Sequence, residues 1–273
     1  MNALVKTLEK IREKSFKDKF CSSGIIISNN RINNGKINLK CLISSRITRK
    51  VVAHAAQEKI DLIISIYPPK FIQNNSQKIM DDHLDLLKIL LENKIAVYSF
   101  GEKWLFTEDS GFDYIFELLE FQYKKPFECL YLNRKGKEKN LFGRLGERKS
   151  KILFEDFLKL LQQLLEKESI RYLGYNKQSL QKIVILSELT NESEIFEIKN
   201  NQNINALVVG DISYEAILAA QLVKLSIVII GKRNLENLVL SYIRRKIMED
   251  ITIDLPEIII VKQEEIGTIY SND

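Results

Sequence analysis

Short runs of consecutive apolar residues alternate along the chain with longer stretches in which apolar residues recur every three or four positions. A continuous apolar run, Leu62-Ile63-Ile64, predicts a strand at 61–66 that is buried on both faces. This strand ends before Pro68, because proline has no N–H to donate to a sheet. A second apolar run, at 205–209, ends in the small polar turn Gly210-Asp211. The two segments indicate that the same arrangement of a buried strand and a turn occurs twice in the chain.

The same patterns predict the remaining elements of the fold. Strands are predicted at 24–28, 37–43, 61–66, 95–100, 127–132, 170–173, 183–186, 205–209, 225–230 and 257–261. Helices are predicted at 1–14, 45–59 with Ser45 as the cap, 79–93, 112–120, 154–165, 213–222 and 235–248. Strands that alternate with helices of this length are typical of α/β folds with parallel pairing.

The second half of the chain repeats the order of the first: an apolar strand, a polar turn, a helix and another strand. We therefore expect an α/β fold with two related α/β lobes facing a central cleft. The N-terminal lobe is predicted at 1–122 and the C-terminal lobe at 123–273. Sheets of this kind bind ligands beyond the carboxyl ends of their strands, so the cleft is the expected site.

Composition indicates an ordinary globular protein. The chain has 273 residues, 45% of them hydrophobic, and four prolines. No apolar run approaches the roughly 20 residues that span a bilayer, and the first residues lead into a charged helix rather than a signal peptide. We expect a soluble, cytoplasmic protein that does not associate with membranes. The three cysteines are widely spaced, which favours reduced thiols over a disulfide framework or a zinc site.

The net charge of +5 is concentrated in one segment. Residues 134–151 carry eight basic and two acidic side chains, a net +6, which leaves the rest of the chain near −1. The basic residues are Arg134, Lys135, Lys137, Lys139, Arg144, Arg148, Lys149 and Lys151. Such a stretch can contact phosphate, so these eight are candidate nucleic-acid contacts. The alternative is a solvated basic loop within the C-terminal lobe.

Several short motifs follow one another in the order that one known family has. They are Phe20-Cys21-Ser22-Ser23-Gly24-Ile25, Leu62 to Phe71, Gly111 to Leu119, Gly143-Arg144-Leu145-Gly146, Val209-Gly210-Asp211-Ile212-Ser213 and Gly231-Lys232-Arg233-Asn234-Leu235-Glu236. This order resembles the GTP cyclohydrolase 1 type 2 homologues, also called Nif-three-like or YbgI-type proteins. The resemblance runs over nearly the whole chain and implies the fold of that family.

The resemblance also implies a pocket for two divalent metal ions, held by two adjacent histidines, an aspartate, a later histidine and a glutamate. Imidazole and carboxylate ligands suit such a hydrolytic metal pair. The corresponding positions in this chain are Ile66, Tyr67, Leu105, Lys232 and Glu236. Only the glutamate is kept, so the resemblance implies a former metal pocket, with no catalytic residues and no bound cofactor.

A lysine at 232 is consistent with loss of the metal ions, because its ammonium group can supply positive charge beside a carboxylate that remains. One hypothesis is that Lys232 and Glu236 pair at the former metal pocket. The alternative is that both side chains point into solvent.

Three functions are consistent with these observations. The first is a non-catalytic family member that acts as a binding or assembly scaffold, and the family resemblance implies a homo-oligomer. The second is a metal-dependent hydrolase or GTP cyclohydrolase-like enzyme with a rebuilt site. The third is an RNA- or ribosome-associated protein that binds through the basic segment.

Overall fold

The two sheets of this protein lie in separate compact units. The computed structural model describes residues 3–13, 23–29, 32, 38–69, 81–132, 138–166, 169–174, 177–200, 203–251 and 255–263. The first unit comprises the described residues of 1–104 and 240–273, and the second comprises those of 105–239.

The first unit contains a five-stranded sheet with the strand order β1-β4-β3-β2-β11. Its strands are β1 (Gly24–Ile27), β2 (Lys40–Ser44), β3 (Leu62–Ser65), β4 (Ala96–Ser99) and β11 (Glu257–Ile260). The helices that accompany them are α1 (Ala3–Glu13), α2 (Arg49–Gln57) and α3 (Asp81–Glu92). Strands β11, β2, β3 and β4 run parallel, and β1 is antiparallel to β4.

Helix α2 begins three residues later than the sequence pattern indicated. Thr48 is its N-cap, and the Thr48 hydroxyl accepts a hydrogen bond from the Val51 N–H at 3.3 Å. Ser45, which we predicted as the cap, is instead buried in the turn that follows β2. The apolar side of α2 packs with residues of α3 and of the three central strands to form the core of this unit. Its members include Leu42, Val51, Val52, Ala55, Ile63, Leu90 and Val97.

The second unit contains a six-stranded mixed sheet with the order β5-β6-β8-β9-β10-β7. Its strands are β5 (Tyr123–Leu132), β6 (Glu138–Leu153), β7 (Arg171–Leu173), β8 (Ser179–Leu189), β9 (Ala206–Ile212) and β10 (Ser226–Ile229). Helices α4 (Gly111–Leu118), α5 (Phe154–Leu165), α6 (Glu192–Asn200) and α7 (Tyr214–Leu222) also belong to it. Helix α8 (Lys232–Asp250) begins in this unit and ends in the first.

Parallel strands with crossover helices form the centre of both sheets. Strands β8, β9 and β10 are parallel, like β2, β3 and β4 in the first unit. Helices α6 and α7 connect β8, β9 and β10 and pack on one face of the sheet, where Val184, Leu207 and Ile227 contact them. The prediction of an α/β fold with two related lobes is therefore confirmed.

Two predictions about the second half of the chain are wrong. We assigned the last strand to the C-terminal lobe, but β11 pairs in parallel with β2 of the first unit, so the division at 122/123 does not separate the two sheets. We also treated 134–151 as a loop. Residues 138–151 instead belong to β6, which pairs with both β5 and β8. The buried stretch of β6 at 143–146 contains two glycines and Arg144, so it did not appear as an apolar run in the sequence. Helix α6 was not predicted at all.

The close contact between α4 and α8 generates a stability prediction. Gly111 is the first residue of α4, and an added Cβ there would overlap the buried Val239 side chain, lying 3.0 Å even from its Cβ. Alanine normally favours a helix over glycine by up to about 1 kcal/mol. Here we expect Gly111→Ala to lower the free energy of unfolding by about 1–3 kcal/mol, because the contact is overpacked.

Urea denaturation measures this change. The double variant Gly111→Ala/Val239→Ala should lose less stability than the two single losses added together, because the smaller side chain removes the overlap. A Gly111→Ala protein that is more stable than the wild type would contradict the prediction.

Candidate functional site

Three neighbouring strands of the first sheet end in serine. Ser44, Ser65 and Ser99 are the last residues of β2, β3 and β4, and they lie side by side in the parallel register. All three are fully buried. They form a row of hydroxyl groups along the carboxyl edge of the sheet, which is where parallel sheets place their functional sites.

These hydroxyls hold the turn that follows β3. The Ser65 hydroxyl lies 2.9 Å from the Tyr67 carbonyl oxygen, and the Ser99 hydroxyl donates to the Ile66 carbonyl at 3.1 Å. The Tyr67 N–H donates to the Ser45 carbonyl at 3.0 Å. The backbone at 66–67 is therefore fixed on both sides, so the direction of its side chains is determined by the sheet.

The Tyr67 ring is covered by a cation. The guanidinium carbon of Arg46 lies 4.0 Å from the ring centroid, a distance typical of a cation–π contact. Tyr67 and Ile66 are both buried. The two positions at which the family resemblance implies paired histidines thus hold an aliphatic side chain and an aromatic ring under a guanidinium group.

Aromatic side chains fill the space after β4. The Phe100 and Trp104 rings are stacked with centroids 4.5 Å apart, and Tyr242 of α8 lies 6.2 Å from Trp104. Tyr98 meets Phe100 edge to face at 5.3 Å. Burial raises the pKa of the Tyr98 hydroxyl, so this group stays neutral. The edge of the first sheet carries an apolar aromatic cluster rather than a set of anionic ligands.

The other three positions at which the family resemblance implies metal ligands belong to the second unit. Leu105 is buried, and its carbonyl accepts a hydrogen bond from the Ser110 hydroxyl at 2.8 Å. The Lys232 ammonium group lies 3.2 Å from the Glu188 carboxylate. Glu236 is buried on α8, one turn after Lys232. The hypothesis of a Lys232–Glu236 pair stays a hypothesis, and Glu188 is a partner of Lys232 that the sequence did not reveal.

Gly210 brings the backbone of α8 close to β9. A Cβ at this position would lie 2.8 Å from the Lys232 Cα and would overlap the Ser187 carbonyl. The glycine is therefore required for the close approach of these segments. This close approach explains why a glycine follows the strand at 205–209. The same approach lets Lys232 lie beside Glu188.

The donor atoms of these positions do not fit the metal pair that the family resemblance implies. Isoleucine and leucine offer no ligand, the Tyr67 ring lies under a guanidinium, and a lysine ammonium repels a cation. Within the described parts of the chain, no group of three or more His, Cys, Asp and Glu side chains could hold a metal ion. Both histidines, His54 and His83, lie in helices of the first unit, in α2 and α3.

Arg144, which we predicted as a candidate nucleic-acid contact, is buried in an ion pair. Its side chain is 1% exposed. Its guanidinium donates two hydrogen bonds to Asp113 of α4, from Nε at 2.8 Å and from Nη2 at 2.6 Å. Burial raises the pKa of Asp113, whereas Arg144 and the Asp109 N–H oppose that shift. The prediction for Arg144 is wrong, because a side chain enclosed between a strand and a helix cannot reach a phosphate.

The other basic residues of the segment differ in their surroundings. Arg148 is mostly enclosed, and it donates to the Leu119 carbonyl and to Glu120. Lys149 and Lys151 are exposed on β6. The predicted contacts Arg134, Lys135 and Lys137 lie outside the described residues, and the side chain of Lys139 is also not described. Nucleic-acid contact stays a prediction for these residues.

A comparison with protein families covers nearly the whole chain. The family model Duf34/NIF3 (NGG1p interacting factor 3) matches residues 1–265. The chain belongs to the Duf34/NIF3 family. The resemblance to Nif-three-like, YbgI-type proteins that the motifs predicted is therefore confirmed. No curated protein sequence gave a significant match.

Solved structures share the Duf34/NIF3 fold at low sequence identity. The Bacillus cereus protein related to NIF3 is 14% identical, with a TM-score of 0.71 over 97% of this chain and 98% of that chain. The Staphylococcus aureus protein SA1388 is also 14% identical, with a TM-score of 0.74 over 99% of each chain. Reduced HcgD from Methanocaldococcus jannaschii is 22% identical, with a TM-score of 0.74 over 95% of this chain and 97% of that chain.

Sequence reasoning missed several residues of this candidate site. The serine row was visible as a serine after each apolar run, but its meaning depends on the parallel register. Arg46 precedes α2 and gave no signal of its own.

Among the described helices, none has the length and apolar character needed to cross a membrane.

The buried ion pair generates a second prediction. Arg144→Met leaves the Asp113 carboxylate buried without its cation, so we expect the free energy of unfolding to fall by about 3–5 kcal/mol. Urea denaturation followed by circular dichroism measures the loss. Lys149→Ala, at an exposed site of the same strand, is the matched control and should stay within about 0.5 kcal/mol of the wild type.

The double variant Asp113→Leu/Arg144→Met distinguishes the pair from simple loss of packing. It should recover much of the stability that Arg144→Met loses, because both buried charges are then absent. Equal stability of Arg144→Met and the wild type would show that the ion pair is not formed in solution.

Proposed function

We propose that this Duf34/NIF3 protein is a pseudoenzyme, a non-catalytic family member that acts as a binding or assembly scaffold. The observation that carries the proposal is the Arg46 guanidinium over the buried Tyr67 ring, at the turn where the family resemblance implies paired histidines. The Arg46 guanidinium already supplies positive charge at this turn. A divalent ion would therefore find there neither a ligand atom nor a negative charge to balance.

Charge in the second unit supports the same proposal. Lys232 stands where the family resemblance implies a further histidine, and its ammonium group contacts Glu188 at 3.2 Å. A lysine beside a carboxylate balances charge without a metal ion. A cationic side chain, Arg46, thus lies over Tyr67 in the first unit, and another, Lys232, occupies a position in the second unit where the resemblance implies a ligand.

The metal content of the protein tests this proposal. Protein purified without chelator and then incubated with Zn²⁺, Mn²⁺ or Fe²⁺ should retain less than about a tenth of an equivalent after gel filtration, because these positions lack the imidazole and carboxylate ligand set that binds such a pair. A Duf34/NIF3 protein that keeps the paired histidines serves as the positive control. One or two bound equivalents would contradict the proposal and favour the rebuilt hydrolase or GTP cyclohydrolase-like enzyme.

The RNA alternative makes a separate prediction, which rests on the exposed Lys149 and Lys151. If both contact phosphate, Lys149→Ala/Lys151→Ala should reduce the salt dependence of single-stranded RNA binding by about 1.4 in the log–log slope. Lys88→Ala, an exposed lysine of α3, is the matched control. The scaffold proposal expects no difference between the double variant and the control, and a selective loss of slope would favour the RNA alternative.

A further inference from the structure

A cavity of about 350 Å³ opens in the first unit, beside the amino end of β4. It lies between the residues that follow β1 and the turn that joins α3 to β4. It is therefore at the opposite edge of the sheet from Ser65 and Ser99, which end their strands. Small-molecule sites have volumes of roughly 300–1,000 Å³, so the cavity has room for a small organic ligand. No step of the proposed function uses it.

Most of the residues that line the cavity are apolar. Leu90 and Ile95 are buried, and Ile27 at the end of β1 is partly buried. Leu91 of α3 also lines the cavity, although 58% of this residue is exposed. A ligand that covered Leu91 would remove apolar surface from water, which stabilises a complex. The cavity therefore favours a ligand with an apolar part.

The main polar side chain at the cavity wall is already engaged. Asn29 Nδ2 donates hydrogen bonds to the carbonyls of Lys94 and Asp61. Asn29 Oδ1 accepts a hydrogen bond from the Ile32 N–H at 2.9 Å. These bonds hold the segment after β1 against the start of β4, and both donors of the amide are used. A ligand with many polar groups, such as a sugar or a nucleotide, would find few partners here.

Lys94 supplies positive charge at the cavity. Its side chain is exposed, and within the part of the chain that the structure describes its ammonium group makes no ion pair. The turn that carries it is fixed, because the Lys94 N–H donates to the Leu91 carbonyl at 3.1 Å and the Ile95 N–H donates to the Leu90 carbonyl at 2.9 Å. A cation held beside an apolar cavity is complementary to an anionic group on an apolar chain.

We propose that this cavity binds a small monocarboxylate with an apolar chain. The carboxylate meets the Lys94 ammonium group, and the chain packs against Leu91 and the buried side chains beside it. The inference goes beyond the proposed function and does not depend on loss of the metal ions. Octanoate is a suitable probe, and for a ligand of about ten non-hydrogen atoms we expect a dissociation constant of about 1 mM or lower.

The line widths of octanoate in NMR spectra, titrated below its micelle concentration, test the role of the charge. Lys94→Met keeps the length of the side chain and removes its charge, so it should weaken octanoate binding by about two- to fivefold at low salt. Lys59→Met is the matched control. Lys59 is exposed after α2 and has the same left-handed backbone as Lys94, with a φ of 55° at each residue. The control should bind octanoate like the wild type.

Octanamide separates the effect of charge from a change of shape, because it has the size of octanoate without its charge. The wild type should bind octanoate more tightly than octanamide, by about two- to fivefold at low salt. The Lys94→Met variant should bind the two ligands equally. A variant that only distorted the cavity would weaken both ligands and keep the preference for octanoate, which would contradict the role of Lys94.

A second pair of variants tests the apolar wall. Leu91→Gln should weaken octanoate and octanamide alike, by about threefold or more, because the chain loses apolar contact. Leu84→Gln is the matched control, since Leu84 is 46% exposed two turns earlier on α3 and does not line the cavity. It should bind both ligands like the wild type, and circular dichroism checks that every variant folds.

Three results would overturn the inference: no saturable binding of octanoate at ten times the expected dissociation constant, equal binding by the two lysine variants, or equal binding by the two leucine variants. These outcomes are independent of the metal measurement. A protein that binds octanoate and also retains metal ions would contradict the proposed function alone. A protein that binds neither would contradict this inference alone.

Discussion

The hydrogen bonds from two buried serines fix the turn on which the candidate site depends. Ser65 and Ser99 end adjacent parallel strands, and their hydroxyls lie within hydrogen-bond distance of the Tyr67 and Ile66 carbonyls. The Gly101 N–H also donates to the Ile66 carbonyl at 2.8 Å, so hydrogen bonds from two neighbouring segments hold this turn. Because the backbone is held in this way, the identity of the two side chains decides what the turn can bind.

Cationic side chains lie at or beside positions where the family resemblance implies metal ligands, in each of the two units. Arg46 covers the Tyr67 ring in the first unit, and Lys232 contacts Glu188 in the second. Gly210 permits the second contact, since any side chain there would collide with the backbone of Lys232. The Lys232 ammonium group balances the charge of the carboxylate that it contacts.

Two of the basic residues at 134–151 are enclosed and make contacts within the protein. Arg144 was counted with the surface cations from composition alone, but β6 directs its side chain inward, where Asp113 neutralises it. Arg148 is engaged with Leu119 and Glu120. A net charge summed along a sequence does not distinguish a cation that faces solvent from one that faces a carboxylate in the interior, so a basic segment is weaker evidence for nucleic-acid binding than its charge indicates.

Sequence periodicity by itself determined the elements whose burial follows from local pattern. Helix α5 at 154–165 has the predicted bounds. The strands predicted at 61–66 and 205–209 are β3 and the start of β9, because the apolar runs within them must be buried on both sides. The motif order also identified the family. Only the tertiary structure decided which strands are neighbours: β11 pairs with β2, more than two hundred residues away along the chain. The same is true of the partners of Arg144, Tyr67 and Lys232, since contacts between residues far apart in sequence leave no local pattern.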